Sequence, residues 1–176
     1  MDDLAIVAKS GGVIQRILNC MLEQREITKV LKDTFRLNWH GYHGASHWAR
    51  VRNNSKIIAK AYPANQDILH YFSLFHDIAR VNEGRDHGHG LRAAEFICKK
   101  GGAKWLQLTT CEYKELIEAI TLHSESRPSG TITQQICWDS DRLDLWRVGT
   151  LPDPRRLFTE QAIELHEDRL SYGYYV

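Results

Sequence analysis

Neither sign of charge dominates this chain. Lys and Arg total 23 against 22 Asp and Glu, a formal net charge of +1 with neutral histidine. The basic surplus or basic run that holds a phosphate backbone is missing, so long nucleic acid is not an expected partner, although a local positive rim stays open. Close cysteine pairs are missing too. Cys20, Cys98, Cys111 and Cys137 occur singly, which gives no zinc knuckle or redox pair and reads as buried thiols in a reducing compartment. No run approaches the ~20 apolar residues of a membrane span, and Met1-Asp2-Asp3-Leu4 lacks the basic and apolar regions of a secretory signal. The expected location is the cytoplasm, with no membrane partner. Repeats, linkers and low-complexity tracts are also missing, so the expectation is one domain over 1–176. That length encloses a cleft without a partner's help, with a homodimer left open.

What the chain does have is helical periodicity broken by Gly, Pro and Asn. Val13-Ile14, Ile17-Leu18 and Met21-Leu22 make a stripe on a first long helix that fades near Phe35. Ser46 to Tyr62 reads as a helix stopped by Pro63, and Asp67 to Phe75 as a short one with Leu69, Phe72 and His76 on one face. Gly90 to Lys100 is closed by Gly101-Gly102. Thr109 and Glu112 form a capping box ahead of Tyr113, Leu116, Ile117, Ile120 and His123. Gln134 to Trp146, with Trp138, Asp141 and Leu145 on one face, and Thr159 to about Leu170 complete the set. Only Thr131 to Ile136 has strand character, so the fold class is all-α, a helical bundle of seven or so helices.

Histidine is the sharp signal. Seven of the nine lie between His40 and His89, where average composition gives roughly one or two. His76-Asp77 ends a helix whose other inward positions are apolar. A buried carboxylate beside an imidazole is costly without a partner, and a divalent cation serves both. Asp141 poses the same problem from a second helix, and His47 can reach the same centre from a third. Two histidines and two carboxylates give mixed nitrogen and oxygen ligation, suited to Mn, Fe, Co, Ni or Zn rather than calcium.

Three segments then stand out together: Tyr42-His43-Gly44-Ala45-Ser46-His47-Trp48-Ala49-Arg50-Val51, Leu74-Phe75-His76-Asp77-Ile78-Ala79-Arg80, and Asp139-Ser140-Asp141-Arg142-Leu143-Asp144. In order and spacing they resemble the signature segments of the HD-domain superfamily of metal-dependent phosphohydrolases, over about 42–149. The resemblance implies His47, His76, Asp77 and Asp141 as metal ligands, with Asp139 and Asp144 supporting ligands or capping helices. Members with a second ion imply His89, or less well His87, and His123 as further ligands, with Asp77 bridging. The implied activity is hydrolysis of a phosphate ester in a small, nucleotide-like molecule. Asp77 would serve the metal-activated water, and His123 or Glu83 would help the leaving oxygen. Arg50, Arg80, Arg85 and Arg142 are the candidate phosphate clamps, with Lys56 and Lys60 extending the rim. Monoester and diester cleavage both stay open, as do one ion and two. A catalytically silent metal- or nucleotide-binding regulatory module and a di-iron oxygenase on the same scaffold are the alternatives.

The bland readings are specific as well. His40 and His43 shape the cleft mouth or a plain turn, and His70 and His166 read as surface residues. Arg50 is as well explained by a salt bridge to a buried ligand carboxylate as by substrate contact. The five tryptophans are core by default, with Trp39 or Trp48 open as a platform for a nucleobase.

Overall fold

The structure, a computed structural model, describes residues 25–125 and 128–174, and the stripe from Val13 to Leu22 lies outside them. The chain divides into two compact units, Met1–Thr34 and Phe35–Val176. The described part of the first is helix α1 (residues 25–34), which ends one residue before Phe35. The second holds α2 (Ala45–Ile58), α3 (Gln66–Phe75), α4 (His89–Lys99), α5 (Gly102–Trp105), α6 (Thr110–Leu122), α7 (Ile132–Arg142) and α8 (Glu160–Ser171), with short 3₁₀ turns between. There is no strand among the described residues. None of the described helices is long and apolar enough to cross a membrane.

Helices α3, α6, α7 and α8 start where the sequence supplies a side-chain cap. The Asn65 side chain accepts from the Asp67 and Ile68 amides to open α3. Thr109 with Glu112 opens α6 and Thr131 with Gln134 opens α7, both as full capping boxes. The second box sets the start of α7 at Ile132, two residues before the expected Gln134. That helix also ends early, at Arg142, and Leu145–Val148 is a 3₁₀ turn. Trp138, Asp141 and Leu145 therefore do not share one continuous helical face. The strand character of Thr131 to Ile136 is overridden by the cap and by packing.

The core sits between α2, α3, α6 and α7, with α4 laid against α6. Val51 and Ile58 of α2, Ile68, Leu69, Phe72 and Phe75 of α3, Leu116 and Ile120 of α6, and Ile136 and Trp138 of α7 are fully buried. Trp138 donates its indole N–H to the Ala119 carbonyl at 3.0 Å, which ties α7 to α6. Asp139 accepts from the Phe158 and Thr159 amides and the Thr159 hydroxyl, at 2.8–2.9 Å, and so anchors the start of α8. Trp48 is buried edge-on against Phe35 and Trp39, which removes it as a nucleobase platform. His166, expected at the surface, is buried on the inner side of α8.

Two glycines allow backbone approaches closer than a side chain permits. A Cβ at Gly44 would lie 2.2 Å from the Trp39 carbonyl oxygen, and one at Gly90 would lie 2.4 Å from that of Ile120. Gly90 is where α4 rests on α6, beside His89 and opposite His123. We expect Gly90→Ala to push the two helices apart, costing about 1–3 kcal/mol and weakening any ion shared by those two histidines. Chemical denaturation and metal titration of the variant measure both effects. Unchanged stability and unchanged second-ion affinity would contradict the close packing.

Candidate metal centre

The polar residues of interest lie at helix ends, and those ends meet at one side of the bundle. His47 is in the first turn of α2. His76 caps the C-terminus of α3, and Asp77 follows in the turn. His89 is the first residue of α4, His123 caps the C-terminus of α6, and Asp141 is in the last turn of α7. Gly88, at φ +80°, supplies the left-handed step that starts α4 at His89. The same step leaves His87 exposed and outside the cluster. Of the two candidates, His89 is the one that joins a group able to hold an ion.

Two triads result, and they share one residue. In the first, His47 Nε2 and His76 Nε2 are 3.0 Å apart, and each lies 3.6 Å from Asp77 Oδ2. Asp141 Oδ1 joins them at 3.3 Å from His47 and 3.7 Å from His76. In the second, His89 Nε2 and His123 Nε2 are 2.7 Å apart, and lie 3.1 and 3.7 Å from Asp77 Oδ1. The two oxygens of Asp77 thus face different histidine pairs. Neighbouring ligands held about 2.1 Å from one ion are separated by roughly 3 Å or slightly more, and the separations here, 2.7 to 3.7 Å, lie around that value.

Proton inventory tests whether a cation fits. His76 Nδ1 donates to the Phe72 carbonyl, His89 Nδ1 to that of Asp86 and His123 Nδ1 to that of Ile120, at 3.0, 2.6 and 2.6 Å. Carbonyls only accept, so in each neutral ring the proton is on Nδ1 and Nε2 carries a lone pair. His47 Nδ1 likewise donates to Asp144 Oδ2 at 2.7 Å. Two lone pairs then face each other across each triad, which only a shared proton or a cation reconciles. Asp141 Oδ1, buried and without a hydrogen-bond partner among the described residues, points to the same requirement. The two His/His/Asp clusters therefore suit one or two divalent ions.

Electrostatics set the charge states. Burial pushes the His76 pKa down to about 3, even though Asp77 and Asp141 favour its charged form. Burial also opposes charge on His47 and His123. There the adjacent carboxylates win, Asp141 and Asp144 raising His47 and Asp77 raising His123. Desolvation would raise Asp77, but His76, His123, His89 and Arg80 outweigh it and hold the carboxyl well below its ordinary value. Asp141 is lowered in the same way by His47, His76 and Arg147. Both carboxylates are ionised, as ligands must be.

Beside Asp77, Asp141, His89 and His123 is a cavity of about 400 Å³, lined also by His43, Glu83, Arg80, Arg142, Arg147 and Arg156. Arg80 donates from Nε to Asp77 Oδ1 at 3.0 Å and from Nη1 to the Gly84 carbonyl. Glu83 lies on the rim and accepts from His43 Nδ1 at 2.5 Å. Arg142 lines the cavity with its guanidinium fixed to the carbonyls of Arg156 and Glu125. The other two expected clamps fall elsewhere. Arg50 donates to Asp144 Oδ1 at 2.6 Å and lines a neighbouring cavity with His40 and Tyr42. Arg85 is exposed and does not line the metal cavity.

Sequence reading missed Arg147 and Arg156. Arg147 donates to the carbonyls of Tyr42 and Asp144 at 2.8 and 3.0 Å and comes within 4.0 Å of Asp141. Its place three residues after Asp144 becomes informative only once Leu145–Val148 is known to be a 3₁₀ turn. Asp86 was also missed: its carbonyl orients His89 while its carboxylate holds Arg92 at 2.6–2.7 Å.

Residues 44–146 match the family model for the HD domain, more than half of the chain. The chain belongs to the HD-domain family. A solved structure described as a predicted HD superfamily hydrolase from an uncultured Thermotogales bacterium is similar, at 28% identity and a TM-score of 0.67. The similarity covers 85% of this chain and 86% of that one. Comparison with curated proteins gave no match. The family and the paired triads together place the protein, at the general level, among the metal-dependent hydrolases of the HD type.

Proposed function

We propose that the protein hydrolyses a phosphate ester of a small, nucleotide-like molecule, with His47, His76, Asp77 and Asp141 holding one divalent ion and Asp77, His89 and His123 a second. The observation that carries this reading is the split of the Asp77 carboxylate between two histidine pairs at the floor of an arginine-walled cavity. Divalent ions bound there would lower the pKa of water and offset charge on a phosphoryl group.

The remaining work falls to side chains of this chain. Arg80 fixes the orientation of Asp77 and offers the rest of its guanidinium to the cavity. Asp144, 1% exposed, holds the His47 ring so that Nε2 points inward. His123 was an expected candidate for protonating the leaving oxygen. Its Nε2 faces Asp77 and His89, and as a ligand it has no proton to give there. That leaves Glu83, on the rim beside His43, as the group that delivers a proton, directly or through one water.

The test is turnover of 4-nitrophenyl phosphate, bis(4-nitrophenyl) phosphate and a nucleotide panel by protein loaded with Mn, Fe, Co, Ni or Zn. Metal-dependent release of phosphate or nitrophenol, suppressed by chelator, is the expected result. Saturable nucleotide binding with no turnover would instead support the silent module. Ferrous-dependent oxygen consumption would support the oxygenase.

A further inference from the structure

The arginines of the metal cavity are not equivalent. Arg80 is committed to Asp77 and Gly84, Arg142 to two carbonyls and the face of Phe158, and Arg147 to two more carbonyls. Arg156 lines the same cavity; its charge acts on the carboxylate of Asp153, which is already held by Arg155, and among the described residues its guanidinium makes no hydrogen bond. Its backbone is nevertheless anchored. Asp153 caps the 3₁₀ turn Pro154–Arg156, the Arg156 amide donates to the Asp153 carbonyl, and Arg142 grips the Arg156 carbonyl at 3.0 Å. A guanidinium with unused hydrogen-bond donors on a fixed stem suits the binding of an anion.

Burial places that cation relative to the chemistry. Asp77, His89 and His123 are at most 5% exposed and form the floor, Arg142 at 8% lies on the wall, and Arg156 is at the exposed mouth. A phosphoryl group that reaches the floor is met there by Arg80 and the triads. Whatever faces Arg156 belongs to the part of the substrate left outside, the leaving group. A neutral leaving group makes no use of a guanidinium, whereas a second phosphate or a carboxylate does.

We propose that Arg156 is a specificity-determining residue that recognises a second anionic group on the leaving side of the substrate. The preferred substrate class is then a phosphate ester carrying two or more anionic groups, bisphosphorylated or pyrophosphorylated, rather than a simple monoester. This rests on the phosphohydrolase reading, so the experiment separates the two.

Wild type, Arg156→Gln and Arg156→Lys, each loaded with Mn, are compared on 4-nitrophenyl phosphate, adenosine 5′-monophosphate and adenosine 3′,5′-bisphosphate. Calorimetric titration with both nucleotides is run in parallel. Wild type is expected to favour the bisphosphate over the monophosphate by about tenfold, as suits one charge-assisted contact at an exposed site. R156Q should lose most of that preference, in Kd and in KM more than in kcat, and R156K should keep part of it. If 4-nitrophenyl phosphate is not turned over, the hydrolase reading fails, and the calorimetric ratio still decides the role of Arg156. Equal affinity of wild type for both nucleotides, or an equal loss for both in R156Q, would overturn the proposal.

Discussion

Asparagine in place of Asp77 is expected to lower retention of both ions and to reduce hydrolysis by about a thousandfold or more. The reason is the sharing of one carboxylate. Oδ2 lies 3.6 Å from the nitrogens of His47 and His76, while Oδ1 lies 3.1 and 3.7 Å from those of His89 and His123. An amide cannot offer two anionic oxygens, so both triads are weakened by one substitution. Arg80 loses its charged acceptor in the same step. The single-triad variants should behave differently. His76→Ala should reduce occupancy at one ion and His89→Ala at the other, each leaving roughly half of the bound metal. Elemental analysis of the three purified variants, with circular dichroism to confirm folding, measures this pattern. Equal metal content in Asp77→Asn and wild type would remove Asp77 from the bridge.

Removing the Asp144 carboxylate is expected to cost about 10–100-fold in affinity for the ion at His47, although Asp144 points none of its oxygens at the centre. Oδ2 accepts from His47 Nδ1 at 2.7 Å and Oδ1 accepts from Arg50 Nε at 2.6 Å, in a site only 1% exposed. Asp144→Ala frees the imidazole to rotate or to change tautomer, and leaves Arg50 without its carboxylate. Asp144→Asn should be milder, since an oriented amide oxygen still accepts from Nδ1. Competition titrations with a coloured chelator give both affinities. If the alanine and asparagine variants bind metal as tightly as wild type, the His47 ring is fixed by packing alone.

How far the sequence discloses this site can be judged residue by residue. His47, His76, Asp77 and Asp141 stand out in the sequence as candidates because each is a costly residue at an inward position in or just after a helix, and their segments resemble those of a known family. The choice between His87 and His89 was not legible from the histidines themselves. It turned on Gly88, whose left-handed conformation begins α4 one residue later. The early end of α7 was hidden because Leu143, Leu145 and Trp146 continue an apolar pattern after the chain has left the helix for a 3₁₀ turn. The arginines were the least legible. Their long side chains travel far enough that tertiary packing decides their targets, so Arg50 went to Asp144 and Arg142 to two carbonyls, and Arg156 was left facing the cavity. His166 lies with Ala162 on the inner side of α8, and a histidine gives no hydrophobic signal to mark that side.

The central claim is that a single carboxylate joins two imidazole pairs around divalent ions. Anomalous diffraction from crystals grown with manganese, recorded on both sides of the metal edge, tests it most directly. The account predicts two peaks flanking Asp77, one beside His47, His76 and Asp141 and the other beside His89 and His123. A manganese peak that touches neither oxygen of Asp77, or fully loaded crystals with no peak at either triad, would contradict it.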